Sequence, residues 1–325
     1  MEAVSPMSRR PDKQLARSLA CFKRRLEQEQ GIPPAATFWD KLGFWRRKRR
    51  QELRDKFNVQ MRVRYVANLT HKIIYCPIEK NACTFFKRIL IQHGECRQEW
   101  KESGMDVHSF LRKRKKLRLA NENQIRDATF LRFVIVREPV ERAVSAYLNK
   151  FVRNHDYPMA QQASEQYASL GRADAQPKRL MTFRQFVDLL GIQADSDLDN
   201  HWRSQVSFLS QVVECFDWIV PMNKIEEFLP VLERRMACKL PRRKTRNENV
   251  YHAYGLQQRM YDWYPDQLRE LSSDRHYPDF TSLVTPDIRQ TLTRRFQADV
   301  ELYQLACQHF ELKLGSEPLP LQTTS

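Results

Sequence analysis

The sequence predicts an α/β fold in which a central, mostly parallel sheet is flanked by helices. Three short runs rich in β-branched and aromatic residues, 72–76 ("KIIYC"), 130–136 ("FLRFVIV") and 216–220 ("FDWIV"), read as buried strands. Each run is followed by a segment whose apolar residues recur at helical spacing. Strands alternating with helices imply crossover connections, which place neighbouring strands parallel.

In chain order, residues 1–30 read as a polar helical arm with Leu15, Leu19, Phe22 and Leu26 on one face, broken by Gly31-Ile-Pro-Pro34. The stretch 44–57 ("FWRRKRRQELRDKF") reads as a solvated, charged helix face rather than a nucleic-acid or membrane patch, because Glu52 and Asp55 interrupt its basic run. The folded core is expected to begin near Asn68. After the strand at 72–76 and Pro77, residues 81–94 have helix character, with Gly94 as the expected cap. The strand at 130–136 leads into a helix with Pro139 at its first position and Val140, Val144, Tyr147, Leu148 and Phe151 on its apolar face.

Residues 152–180 read as a long polar loop or insertion. Thr182 is expected to cap a helix bearing Phe183, Phe186, Leu189 and Leu190, closed by Gly191. A helix carrying Ile225, Phe228, Leu229 and Leu232 follows the third strand, and Thr285-Pro286 opens a long last helix through about Phe310. The expected organisation is a basic, helical extension over 1–68, one domain over 69–312 and a flexible tail over 313–325.

Composition narrows the function classes. The 325 residues are 42% apolar and carry a net charge of +16, so the chain can bury a core and wants an anionic partner. Residues 1–56 hold 15 Lys and Arg against 7 Asp and Glu, half of that surplus. Residues 111–118 add six basic side chains and no acid, which attract an anionic glycan or form an exposed loop. No apolar run approaches the roughly 20 residues of a bilayer helix, and residues 1–19 lack a signal peptide's apolar core. The seven cysteines are scattered, with no Cys-x-x-Cys and no Cys/His cluster, which fits reduced thiols and no metal. A cytoplasmic location follows, with Golgi or membrane association expected only for an incomplete N-terminus or a peripheral contact.

Two strand–turn–helix junctions carry anion chemistry. In 73–88 ("IIYCPIEKNACTFFKR") a turn presents Lys80, and a helix begins near Asn81–Thr84. Unpaired N–H groups and the positive dipole end at a helix start suit a phosphate or sulfate. A Walker loop is excluded, since residues 69–93 contain no glycine. In 133–150 ("FVIVREPVERAVSAYLNK") Arg137 ends the strand and Ser145 lies two turns into the helix. Arg can grip a phosphate with two N–H bonds. A purely structural role, Arg137 paired with Glu141 and Ser145 packed as a small residue, is equally open.

Together the two junctions resemble the donor-binding segments of sulfotransferases that use 3′-phosphoadenosine-5′-phosphosulfate (PAPS), closest to the carbohydrate sulfotransferase branch. The likeness rests on "CPIEKNACTFFKRIL", on Arg137, Pro139, Arg142, Ser145, Ala146 and Tyr147 of "REPVERAVSAYLNKF", and on "NHWRSQVSFLS" at 200–210. It covers about residues 69–312. Glu79 departs from the family's proline before the lysine. The resemblance implies a P-loop-NTPase-like fold and transfer of a sulfuryl group from PAPS to a hydroxyl of a carbohydrate, an anionic glycan or glycolipid among the candidates. It implies Lys80 at the 5′-phosphate and leaving oxygen, and Asn81, Ala82, Cys83 and Thr84 around the 5′-phosphate. Arg137 and Ser145 fall at the 3′-phosphate. No metal is expected. His201 is the expected base, with Glu102 or Asp106 as alternatives, and Trp202 and Gln205 shape the acceptor site or pack. Arg242 and Arg243, in the basic stretch 242–249, are weaker candidates for donor contacts. The rival readings are a nucleotide kinase with a divergent phosphate loop and a non-catalytic basic protein binding nucleic acid; the resemblance makes nucleic acid the less expected partner.

Overall fold

The computed structural model describes residues 65–113, 124–125, 127–171, 179–209, 215–242, 250–252, 259–271, 276–278 and 280–316, with residues 18, 21, 22, 24 and 25 of the N-terminal arm. The basic stretch 44–57, residues 114–118 of the second basic run and Arg243 lie outside the described residues.

Among the described residues the main sheet has four strands in the order β1 (Val66–Asn68), β2 (Ile73–Cys76), β3 (Leu131–Val136) and β4 (Trp218–Pro221). β2, β3 and β4 are parallel, with Cys76 opposite Val134 and Val136 opposite Pro221. β1 pairs antiparallel to β2. The sequence did not announce β1, because three residues are too short to show a period. The expected parallel sheet flanked by helices is the architecture found. Every residue of β2 and β4 is buried, as a parallel sheet covered on both faces requires.

The helices bounded among the described residues are α1 (Cys83–Gln92), α2 (Arg97–Ser103), α3 (Val107–Lys113), α4 (Pro139–Tyr147), α5 (Pro158–Ser169), α6 (Phe183–Ile192), α7 (Ile225–Met236), α8 (Pro265–Leu271), α9 (Phe280–Leu283), α10 (Pro286–Arg295) and α11 (Gln297–Ser316). A small parallel pair, β5 (Val250–His252) and β6 (His276–Pro278), stands apart from the main sheet. Alternate strand residues feed two apolar layers. Ile73, Tyr75, Phe133, Ile135, Trp218 and Val220 pack with α1, α3 and α7. Ile74, Cys76, Val134, Val136 and Ile219 pack with Leu302 and Ala306 of α11 and with Phe22 of the arm. A third cluster joins α4, α5, α6 and α10 around Tyr147, Phe151, Phe186 and Trp202.

Local signals explain the helix starts. The Glu138 side chain accepts from the Glu141 N–H at 2.7 Å, and Pro139 opens α4. Thr182 and Gln185 form a reciprocal capping box at α6. Several expectations are corrected. α1 ends at Gln92, and Gly94 is not a left-handed cap: a Cβ there would meet Leu90 O at 2.7 Å, so close approach is its reason. Gly191 lies inside α6 rather than closing it. The segment read as a loop over 152–180 contains α5, whose buried Ala160, Ala163, Ser164 and Tyr167 are small or polar enough to hide the helical pattern. The last helix is two, broken at Phe296, and the second runs to Ser316. Between α4 and α5, Leu148–Arg153 forms a π-helical turn.

Candidate active site

The carboxyl ends of β2 and β3 bring the two junctions side by side. After β2 the chain turns through Lys80 and Ala82 with φ of 71° and 55°. Left-handed non-glycine residues cost roughly 1–2 kcal/mol each, so the surroundings must hold them. Asn81 does this. Its backbone N–H donates to Ile78 O at 3.3 Å, and its side-chain Nδ2 donates to Ile135 O at 2.9 Å and Gln205 Oε1 at 2.6 Å. The expectation that the Asn81 N–H faces a phosphate is therefore corrected: that donor is spent inside the turn. Cys83 and Thr84 open α1, where N–H groups have no intrahelical carbonyl. Ala82 caps that helix through its carbonyl, which accepts from Phe85 N at 3.0 Å.

Arg137 leaves β3 beside this turn. Its N–H donates to Gln205 Oε1 at 3.0 Å, and Gln205 Nε2 donates to Arg137 O at 2.8 Å. Its guanidinium reaches Lys80 O and Glu141 only at 3.5 and 3.4 Å, and Glu141 is more than half exposed. The pairing with Glu141 that the sequence left open is therefore present, and it is a weak one. Ser145 is half-buried on α4, and its hydroxyl bonds no other described residue. Arg142, one of the residues that carry the resemblance, is fully buried in a role the sequence reading did not assign to it. It donates to Glu79 O at 3.1 Å, Arg203 O at 2.6 Å and Asn200 O at 3.0 Å, clamping the Lys80 turn onto the 200–205 segment.

That segment is anchored by Asp299 of α11, which accepts from Ser204 Oγ at 2.7 Å, Gln205 N at 2.7 Å and Val206 N at 2.9 Å. Burial holds the Asp299 carboxyl above its ordinary range. Gln205 is completely buried and packs rather than lining an acceptor site, and Trp202 sits in the third apolar cluster. His201 differs. Its Nδ1 lies 2.6 Å from Asp199 Oδ1, and Tyr157 donates its hydroxyl to Asp199 Oδ2 at 3.1 Å. With Nδ1–H given to Asp199, Nε2 keeps its lone pair. Burial lowers the His201 pKa, although Asp199 pulls the other way.

The carboxylates considered as rival bases have local tasks. Asp106 accepts from the His108 and Ser109 N–H groups at 2.9 and 3.1 Å at the start of α3, and exposed Glu102 accepts from Gln98 at 2.7 Å. His108, which sequence reasoning missed, lies 2.9 Å from Thr84 Oγ1 through Nε2. Burial, with Lys87 nearby, lowers its pKa to about 4, so the ring is neutral at pH 7. The only available signal was a histidine between the two junctions.

The site is electropositive. Burial, then the neighbouring Arg137, brings the Lys80 pKa down to about 7, with Lys150 and Arg142 contributing. Such mutually repelling cations fit a bound polyanion. Arg242 does not join them. It is exposed and pairs with Glu233 at 3.5 Å near the end of α7. Arg235 of the same helix end bonds His71 O and Lys72 O, at the amino end of β2 and away from Lys80. Among the described residues, no group of three or more His, Cys, Asp or Glu is placed to hold a metal.

Comparison with known proteins supplies the family. Carbohydrate sulfotransferase 11 of Danio rerio is 28% identical over 178 residues, covering 50% of this chain and 49% of the relative. Carbohydrate sulfotransferase 8 of Homo sapiens is 26% identical over 221 residues, covering 60% and 51%. Carbohydrate sulfotransferase 9 of Homo sapiens is 28% identical over 195 residues, covering 55% and 43%. The chain thus spans about half the length of the curated relatives it matches. No solved structure matches it. The expected cytoplasmic location is corrected: it rested on absent signals, and the relatives that the chain matches are carbohydrate sulfotransferases. Scattered thiols and a lack of apolar runs say nothing about compartment, and no helix among the described residues is long and apolar enough to cross a membrane. The model of the sulfotransferase family matches residues 63–306, spanning β1 through the first half of α11 and both strand–turn–helix junctions, and the chain belongs to that family.

Proposed function

We propose that the chain is a sulfotransferase that moves a sulfuryl group from PAPS to a hydroxyl of a carbohydrate acceptor. The observation that carries this reading is the placement of Lys80 and Arg137 on adjacent strand ends, both tied to the His201 segment through Gln205 and Arg142. The names of the relatives, all carbohydrate sulfotransferases, support the acceptor class.

In this reading the first turn of α1, with Ala82, Cys83 and Thr84, holds the 5′-phosphate, and Thr84 is oriented by His108. Arg137 and Ser145 take the 3′-phosphate. Lys80 neutralises the charge that grows on the leaving oxygen, where a placed cation acts most strongly on the barrier. His201 Nε2 takes the proton of the acceptor hydroxyl, and Asp199 holds the ring and stabilises the imidazolium that forms.

Transfer of radiolabelled sulfate from PAPS to a panel of desulfated glycans tests the activity. Lys80→Ala and Arg137→Ala are each expected to reduce it by at least ~100-fold. Wild-type transfer in both variants would overturn the site. Thermal stabilisation by 3′,5′-bisphosphoadenosine should exceed that by AMP at equal concentration, because the ligand that binds the native state more tightly stabilises it more. Equal shifts would remove the dedicated 3′-phosphate site, and competition by ATP would favour a kinase.

A further inference from the structure

The mechanism above leaves Lys150 unused. It lies on the π-helical turn Leu148–Arg153, in which Leu148, Phe151 and Val152 are buried and Lys150 is half-buried. The five-residue spacing shows in the bond from Asn154 N to Asn149 O at 3.0 Å. Single π turns inside helices are uncommon and gather at functional sites, because they re-aim side chains that an α-helix would direct elsewhere. Here Lys150 Nζ stands over the Tyr157 ring, 3.9 Å from its centroid. The hydroxyl of that ring is 3.1 Å from Asp199 Oδ2 and 3.2 Å from His201 Nδ1. The aromatic face thus fixes a cation beside the Asp199–His201 pair.

Resting on the sulfotransferase reading, we propose that Lys150 is a second cation of the transfer site, bridging the Lys80 turn and the Asp199–His201 pair and facing the sulfuryl oxygens. Two further relationships agree with this placement. Lys150 is close enough to Lys80 to depress its pKa, and it also feels Cys83 and Glu79 of the donor turn. It also pushes the His201 pKa down, which keeps Nε2 unprotonated. His201 faces Asp199 on its own segment, Tyr157 ahead of α5, Lys150 on the π turn, Glu79 in the donor turn and, farther off, His108 on α3.

In the transfer step the acceptor hydroxyl proton passes to His201 Nε2 while its oxygen bonds sulfur. The bond from sulfur to the bridging oxygen breaks, and its electron pair stays on the 5′-phosphate of bisphosphoadenosine. Lys80 meets the leaving oxygen and Lys150 the moving sulfuryl group, so removing Lys150 should affect turnover more than nucleotide binding.

The test compares wild type with Lys150→Met, Lys150→Gln and Lys150→Arg. Bisphosphoadenosine affinity is read by calorimetry, turnover by sulfate transfer from PAPS to desulfated glycans, and a pH profile of kcat/KM is recorded. Met and Gln are expected to lower kcat by about 100-fold, to change bisphosphoadenosine affinity less than about threefold, and to move the acid limb of the profile to higher pH, because a cation no longer opposes His201 protonation. Arg should restore the acid limb and most of kcat. Unchanged kcat and limb in Met and Gln would overturn the assignment, as would an equal loss of affinity and turnover, which would make Lys150 a nucleotide contact. Absence of transfer and of bisphosphoadenosine binding by wild type would instead overturn the sulfotransferase reading itself.

Discussion

Asn81 Nδ2 lies 2.6 Å from Gln205 Oε1, joining residues 124 positions apart in a fully buried bond. The same Gln205 amide also accepts from Arg137 N and donates to Arg137 O. One side chain therefore fixes the Lys80 turn to the end of β3. Gln205→Leu leaves the Asn81 amide and the Arg137 backbone groups without these partners. A buried unsatisfied group costs about 1–3 kcal/mol, so the variant should unfold at markedly lower urea and bind bisphosphoadenosine weakly even where folded. Unchanged values for both would remove the tie.

Lys80 gives a pH prediction. Its folded pKa of about 7 lies below the ordinary 10.5. Between those values the unfolded chain binds more protons than the folded one, so this residue makes stability rise as pH climbs from about 7 toward 10.5. An anion held at Lys80 favours its charged form. Binding of bisphosphoadenosine at pH 8 should then take up close to one proton, about one per site by linkage, measured by calorimetry in buffers of different ionisation heat. Lys80→Met should abolish most of that uptake, and an unchanged uptake would sink the assignment.

Asp199→Asn replaces one of the two oxygens facing His201 and Tyr157 with an NH2 donor, so it disturbs the orientation of the ring, and it removes the charge that raises the His201 pKa. Turnover should fall on the order of 100-fold, since a mis-set imidazole loses most of its general-base contribution. The acid limb of kcat/KM should move to lower pH, opposite in sign to the shift expected on removing the Lys150 cation. A profile that stays in place would show that another group takes the proton.

Asp299 is fully buried, with three donors converging on its two oxygens. Asp299→Asn turns one acceptor into a donor facing an N–H or hydroxyl. Destabilisation of about 1–3 kcal/mol is expected, read as a lower urea midpoint. Burial raises the folded pKa of Asp299, so its own contribution to stability falls as pH rises through the range above 3.8. In the Asn variant that part of the pH dependence should vanish.

The three parallel strands and the helix starts at Pro139 and Thr182 were legible because apolar period and cap chemistry are local. Arg137, Lys80 and Thr84 stood out because strand–turn–helix junctions announce anion sites. What escaped was non-local. Arg142 stands in the motif without a role until three carbonyls from two other segments converge on it. Asp299 sits in an amphipathic helix with no mark of its role, and His108 gains meaning only beside Thr84. α5 stayed hidden because alanines and a serine face its core side.

Phe22 is 5% exposed and packs with Tyr65, Ile74, Ile78 and Leu302 on one face of the main sheet. Arg25 pairs with Glu301 of α11 beside it. A recombinant fragment trimmed to the family-matched span would strip that cover from the sheet and leave an apolar patch open to water. Such a fragment should self-associate and express poorly, whereas one that keeps the arm through Phe22 retains its own stopper.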